Sequence, residues 1–184
     1  MSTTDEPRDG VAVALLRGIN VGRNRRIKMA DLREALGAAG FGRVRTLLQS
    51  GNVVLDAPRA SPEEVERRVH DAVLAFSGFD VAVLVRTAEE LVAVVERSPM
   101  PEPPDGARYV VVFLAGPADD VELPDLPESS AERWWRSGSE IYVWCPGGLL
   151  ESPVMEHFGG RRPAVPATVR NWNTVTALAR LTAE

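Results

Sequence analysis

Sulfur and imidazole are scarce in this chain: one cysteine, Cys145, and two histidines, His70 and His157, among 184 residues. A lone cysteine excludes an internal disulfide and a cysteine-built zinc site within one chain, and it suits a reducing compartment. The histidines are far apart, one in a charged helical stretch and one near a helix end, so no metal site is assigned and no cofactor is expected. Long apolar runs are missing as well. VAVALL, DVAVLV and YVVVFLAG are of strand length and far too short to span a bilayer. The opening MSTTDEPRDG is polar, of mixed charge and without an apolar segment, which is unlike a targeting signal and like a flexible end. The expectation is a cytoplasmic protein with no membrane partner. Lysine is nearly absent too. Lys28 is the single example and the other basic residues are arginine, so arginine abundance alone says little about phosphate recognition.

What is present is ordinary globular material, 45% hydrophobic and 26% charged, with a formal net charge of −5. That balance argues against a generally basic nucleic-acid binder. The charge is unevenly spread, however. Arg17, Arg23, Arg25, Arg26, Lys28, Arg33, Arg43 and Arg45 face only Asp31 and Glu34, a local net of +6 that leaves −11 for the remainder.

The periodicity gives an α+β chain. Val11–Arg17 is apolar and β-branched enough for a buried strand, and Gly18–Lys28 is a loop punctuated by Gly18, Asn20, Gly22 and Asn24. Met29, Leu32, Leu36 and Ala39 recur at helical spacing up to Gly40. Val44–Gln49 and Asn52–Asp56 read as a hairpin about Ser50-Gly51. Ser61, Pro62 and Glu64 signal a helix start, with Val65, Val69, Val73 and Phe76 as its buried stripe, and Asp80–Arg86 returns as a strand. The first half is therefore β-α-β-β-α-β, the ferredoxin-like order. Thr87 with Glu90 opens a further helix to about Arg97.

Prolines 99–104 form a stiff connector. The expected division is a flexible 1–10, a first subdomain over 11–98, a linker over 99–107 and a second subdomain over 108–184. In the latter, Arg108–Ala115 is a strand and a Pro- and acid-rich segment follows with one short helical turn. Ala131–Arg136 and Glu140–Cys145 make a second hairpin, Leu149–Phe158 is helical, Gly159–Pro166 is a loop and a helix closes the chain from about Asn171. This β-(α)-β-β-α-α order echoes the first half and suggests two ferredoxin-like α/β-sandwich halves and a duplication, although no residue-level repeat is evident.

Three polar segments lie at strand and helix ends: LLRGINVGRNRRIKM (Leu15–Met29), LLQSGNVV (Leu47–Val54) and VRNWNTV (Val169–Val175). In order and spacing they resemble the DUF1697 family, a widespread bacterial family of unknown function, over Val11 to Leu181. The resemblance implies two ferredoxin-like halves and supplies no activity, cofactor or catalytic residue. Arginines stand at loop positions where the family usually has lysine or glycine, and Val169 replaces a common threonine.

The residues themselves point toward anion binding. Backbone N–H groups of a Gly/Asn loop, a helix start and nearby cations can hold a phosphate, though neither a GxGxxG nor a P-loop is present. Arg17, Arg25 and Lys28 are the candidate phosphate contacts. Asn20, Gln49, Ser50, Asn52, Arg170, Asn171 and Asn173 are candidate orienting contacts. Against this, Ser-Gly and Asn are what a tight turn prefers, and Thr168 or Asn171 is a natural helix cap. Trp134, Trp135, Tyr142 and Trp144 on the second hairpin leave room for an exposed aromatic that stacks on an RNA base, or for packing in a core or subunit interface. No catalytic residue is assigned. The leading expectation is a binding protein for a small anionic or nucleotide-like ligand, RNA among the choices. The alternatives are an enzyme acting on a phosphorylated metabolite, and a structural or oligomerising protein without a small-molecule site.

Overall fold

Val11–Leu16 is apolar at each position and buried at each position, because strand β1 is a central strand with partners on both sides. The computed structural model describes residues 10–21, 25–159 and 165–184. Gly22, Arg23 and Asn24 of the predicted loop, most of the expected flexible N-terminus and part of the Gly159–Pro166 loop lie outside the described residues.

The chain divides into two units, one of residues 1–93 with 177–184 and one of residues 94–176. The first is built from β1, helix α1 (Met29–Ala38), β2 (Gly42–Leu47), β3 (Asn52–Asp56), α2 (Pro62–Ser77) and β4 (Val83–Thr87). Its sheet runs β2-β3-β1-β4, antiparallel throughout, which is the ferredoxin-like strand order expected from the sequence. Alternate β1 residues Ala12, Ala14 and Leu16 meet Leu32 and Leu36 of α1 and Val65, Val69 and Val73 of α2 in one core. The i, i+4 spacing of those valines stacks them on one helix face. Each contributes about 1.5–3 kcal/mol by leaving water. Ser61 caps α2, its Oγ accepting from the Glu64 N–H at 3.3 Å, and Gly78 ends it in the left-handed region at φ 74.

Two sequence expectations are corrected here. Phe76, placed in the buried stripe, is 38% exposed. The Val65–Val69–Val73 row advances by four, and a step of three from Val73 swings Phe76 off its flank. Strand β4 also begins at Val83 rather than Asp80, because Asp80 is held by a helix side chain instead of a sheet neighbour.

Helix α3 (Ala88–Glu96) starts directly after β4. Its capping box is complete: the Thr87 N–H donates to Glu90 Oε2 at 2.8 Å and the Glu90 N–H to Thr87 Oγ1 at 3.1 Å.

The second unit contains β5 (Tyr109–Leu114), a 3-10 turn at Ala118–Asp120, β6 (Arg133–Ser137), β7 (Glu140–Trp144), a 3-10 turn at Leu149–Glu151, α4 (Pro153–Gly159) and β8 (Ala167–Asn171). Helix α5 (Trp172–Ala183) follows β8 without a break. The sheet order β6-β7-β5-β8 repeats that of the first unit. Val110, Val112, Leu114, Ile141, Val143, Val154 and Phe158 form its core. Strand β8 corrects the sequence reading, which took this stretch for a loop and a helix start. Its Ala-Thr-Val-Arg alternation is short, and the polar residues Thr168 and Arg170 are buried in it.

Candidate functional site

The first two motifs fold against each other. The Leu16 N–H donates to Gly51 O at 2.8 Å, and Arg17 N–H to Ala82 O at 2.8 Å. Gly51 has φ +81, and a Cβ there would lie 2.7 Å from Leu16 Cβ and 2.9 Å from Leu16 O. Only glycine meets both demands. The turn joining β2 to β3 comprises Leu48–Gly51, longer than the expected Ser50-Gly51 pair, and Leu48 stands in the left-handed region at φ 58.

Asn20, also left-handed at φ 56, ties the basic loop to that turn. Its Nδ2 donates to Ile27 O at 2.9 Å and to Gln49 O at 2.7 Å, while its Oδ1 accepts from the Ile27 N–H at 2.8 Å. Its own N–H donates to Arg25 O at 3.0 Å. Asparagine suits the place because it tolerates the left-handed region and offers both donor and acceptor. Ile19 and Ile27, both buried, anchor the loop on either side. Asn52 is fully buried and donates to Leu47 O and Ser50 Oγ, both at 3.0 Å.

With the amides so engaged, the surface of this region is left to other groups. Arg25, Arg26, Lys28, Gln49 and Ser50 are exposed and Arg17 is half-buried. Arg25 lies 5.8 Å from the Phe79 ring. Lys28 precedes α1 with extended backbone and makes no side-chain cap. Arg26 was absent from the sequence-derived contacts. Its signal was its place among the eight cations.

The third motif lies in the other unit. Arg170 is buried, its Nη1 donating to Thr168 Oγ1 and to Val169 O, each at 2.8 Å. Burial lowers its pKa to about 10, which leaves the guanidinium charged at neutral pH. Asn171 is the cap of α5, its Oδ1 accepting from the Thr174 N–H at 2.9 Å and the Thr174 hydroxyl at 2.8 Å. This decides between the two caps considered. Asn173 is exposed but rests on Gly106, where a Cβ would come within 2.2 Å of its Oδ1.

His70 and Cys145 are both committed. His70 sits between Asp80, 2.7 Å from Nε2, and Asp71, 3.2 Å from Nδ1, and these hydrogen bonds raise its pKa. Burial pushes the Cys145 thiol up to about 11, so it is protonated and a poor nucleophile. No cluster able to hold a metal occurs among the described residues. On the second hairpin Tyr142 is fully buried and donates to Val94 O at 2.6 Å, and Trp134 carries the Arg136 guanidinium 4.6 Å from its ring.

Among protein families, the model described as "Protein of unknown function (DUF1697)" matches residues 11–142. The matched stretch contains the first two motifs and ends before the third. A solved structure of a conserved bacterial protein, SP0830 of Streptococcus pneumoniae, is similar at a TM-score of 0.68 and 21% identity. The similarity covers 95% of this chain and 99% of that one, and at this identity it speaks for the fold alone. Comparison with curated proteins finds no match.

Proposed function

Because the chain belongs to the DUF1697 family of proteins of unknown function, no activity is inherited, and we propose from the geometry of its first unit that it binds a phosphate-bearing ligand at the basic loop. The observation that carries this reading is the ring of hydrogen bonds that joins Asn20 to the backbone at Arg25, Ile27 and Gln49 while Arg25, Arg26 and Lys28 stay exposed. A backbone held in advance leaves only the side chains to be ordered when its cations meet an anion. Arg17, Arg25 and Lys28 would neutralise the phosphate, and Gln49 and Ser50 would hydrogen-bond it. Asn20 and Asn52 would act beneath the surface by shaping the loop. A nucleotide or an RNA phosphate meets the same requirement.

Calorimetry with ADP, inorganic pyrophosphate and a short single-stranded RNA, at low and moderate salt, tests the reading. Binding weakened by salt and by Arg25→Ala and Lys28→Ala is expected. No binding to any of the three probes, or binding indifferent to both substitutions, overturns it.

A second reading has its own support. The amides of Asn20, Asn52 and Asn171 are all engaged in local hydrogen bonds, which suits motifs that serve the fold of a structural or self-associating protein. Light scattering that finds a stable oligomer, together with failure of all three phosphate probes, would favour it.

A further inference from the structure

Glu132 is an anomaly of the second unit. Only 8% of it is exposed, and carboxylates are rarely buried so far without an ionic partner. Its Oε1 accepts from the Ser152 hydroxyl at 2.7 Å. Ser152 is itself fixed, its Oγ accepting from the Met155 N–H at 3.0 Å. Among the described residues nothing else donates to the Glu132 carboxylate, and no cation pairs with it.

The nearby arginines are occupied elsewhere. Arg133 donates through Nη1 to the backbone carbonyls of Ser130 and Glu132. Arg136 donates to Ala118 O at 3.0 Å and Val121 O at 2.7 Å, and its guanidinium also meets the Trp134 ring. The Cys145 thiol, protonated as noted, brings no charge.

The other oxygen of this carboxylate is not sealed from solvent, and the residue lines an open cleft of about 380 Å³, with Leu126, Pro127, Glu128, Arg133 and Trp134 as the other walls. The size is within the range of small-ligand sites. An apolar wall with a few fixed polar groups is the usual composition of such a site.

We propose that this cleft binds a small organic cation, a primary ammonium on a short hydrocarbon arm, with Glu132 as the anchoring carboxylate. The ammonium supplies the direct ionic partner that Arg133 and Arg136, bonded to backbone carbonyls, do not. A guanidinium in two-pronged contact would have to share Oε1 with the Ser152 hydroxyl, whereas an ammonium can meet the other oxygen alone. The hydrocarbon arm lies along Leu126, Pro127 and Trp134, and Glu128 at the rim adds a second negative charge. The site is independent of the basic loop and selects the opposite charge.

Titration of the full chain with 2-phenylethylammonium and with the neutral 2-phenylethanol, followed by amide and indole chemical shifts at pH 7, tests the assignment. Saturable shifts over residues 126–134 are expected for the ammonium, with the alcohol binding at least ~10-fold more weakly, as loss of one charged contact implies. Glu132→Gln keeps an oxygen for Ser152 and should weaken the ammonium ~10-fold or more while leaving the alcohol unchanged. Arg25→Ala should change neither, which separates this site from the phosphate site. No saturable binding, equal affinity for the alcohol, or full ammonium affinity in Glu132→Gln overturns the assignment. Should Glu132→Gln fail to fold, Glu128→Gln and Trp134→Leu take its place. Each should weaken the ammonium several-fold, and unchanged affinity in both overturns the assignment as well.

Discussion

Arg86 and Arg170 occupy the same place in the two sheets. Arg86 lies opposite Val13 of β1 and Arg170 opposite Val111 of β5. Each donates Nη1 to the carbonyl of the valine before it, at 2.9 Å from Arg86 and 2.8 Å from Arg170. Each precedes a helix-capping residue, Thr87 in one case and Asn171 in the other. Val85-Arg86-Thr87 and Val169-Arg170-Asn171 are thus matched at three successive positions, a residue-level correspondence beside the shared strand order.

Equivalent caps should have equivalent worth. Thr87→Ala and Asn171→Ala are each expected to lower stability by about 1 kcal/mol, the usual cost of a lost cap. Urea denaturation of the two variants and the parent checks this, and a several-fold disparity would contradict the equivalence.

The loop amides predict a graded response. Asn20→Ala removes the side-chain bonds to Ile27 and Gln49 and should cost about 2–4 kcal/mol, at about 1 kcal/mol per hydrogen bond plus the left-handed backbone. Asn20→Asp keeps only the acceptor and should fall between. Equilibrium denaturation with hydrogen exchange of the Ile27 amide reads both effects.

Gly51→Ala should destabilise by about 1–3 kcal/mol, since the methyl meets Leu16 and the backbone is left-handed. Gly18 also has positive φ, at +68, but has no atom within 4 Å of a built Cβ. Gly18→Ala should therefore cost less, and differential scanning calorimetry would rank the two.

His70 makes stability depend on pH in a definite sense. Hydrogen bonds donated to Asp80, then to Asp71, raise its folded pKa, and Arg67 donates to Asp71 from the other side. The stabilisation is complete below the ordinary histidine value of about 6.5 and is lost as pH rises through the raised folded value. Denaturation midpoints measured upward from pH 5.5 should fall in the parent, and this component should vanish in His70→Gln.

Phe76 offers a contrast with the valines of its own helix. Being 38% exposed, it should tolerate Phe76→Ser with a loss below about 1 kcal/mol. Val69→Ala should cost more, about 1–3 kcal/mol, since Val69 is fully buried. Paired thermal melts distinguish them.

Much of the fold was legible where local chemistry decided it. Ser61-Pro62 and Thr87-x-x-Glu90 name their helix starts because caps act within one turn, and the valine row named the face of α2. Strand β8 was not legible. Its central strand neighbour β5 is more than fifty residues earlier, and Thr168 and Arg170, polar yet buried, do not announce a core strand. The site was legible in part. Charge counting found the exposed cations, but the partners of Asn20 and Asn52 are backbone carbonyls, which sequence does not distinguish. Glu132 carried no signal at all, because its oddity lies in burial and in the missing counter-ion.

The ring of bonds between Asn20 and Ile27 has a consequence for how this surface can change. Its closing contacts use the Asn20 side chain and backbone atoms of Arg25, Ile27 and Gln49, so the exposed side chains of Val21 and Arg26 take no part in those bonds. Substitutions there can alter what the protein displays without loosening the frame that displays it. A lineage could exchange the side chains at these two positions while keeping the same frame.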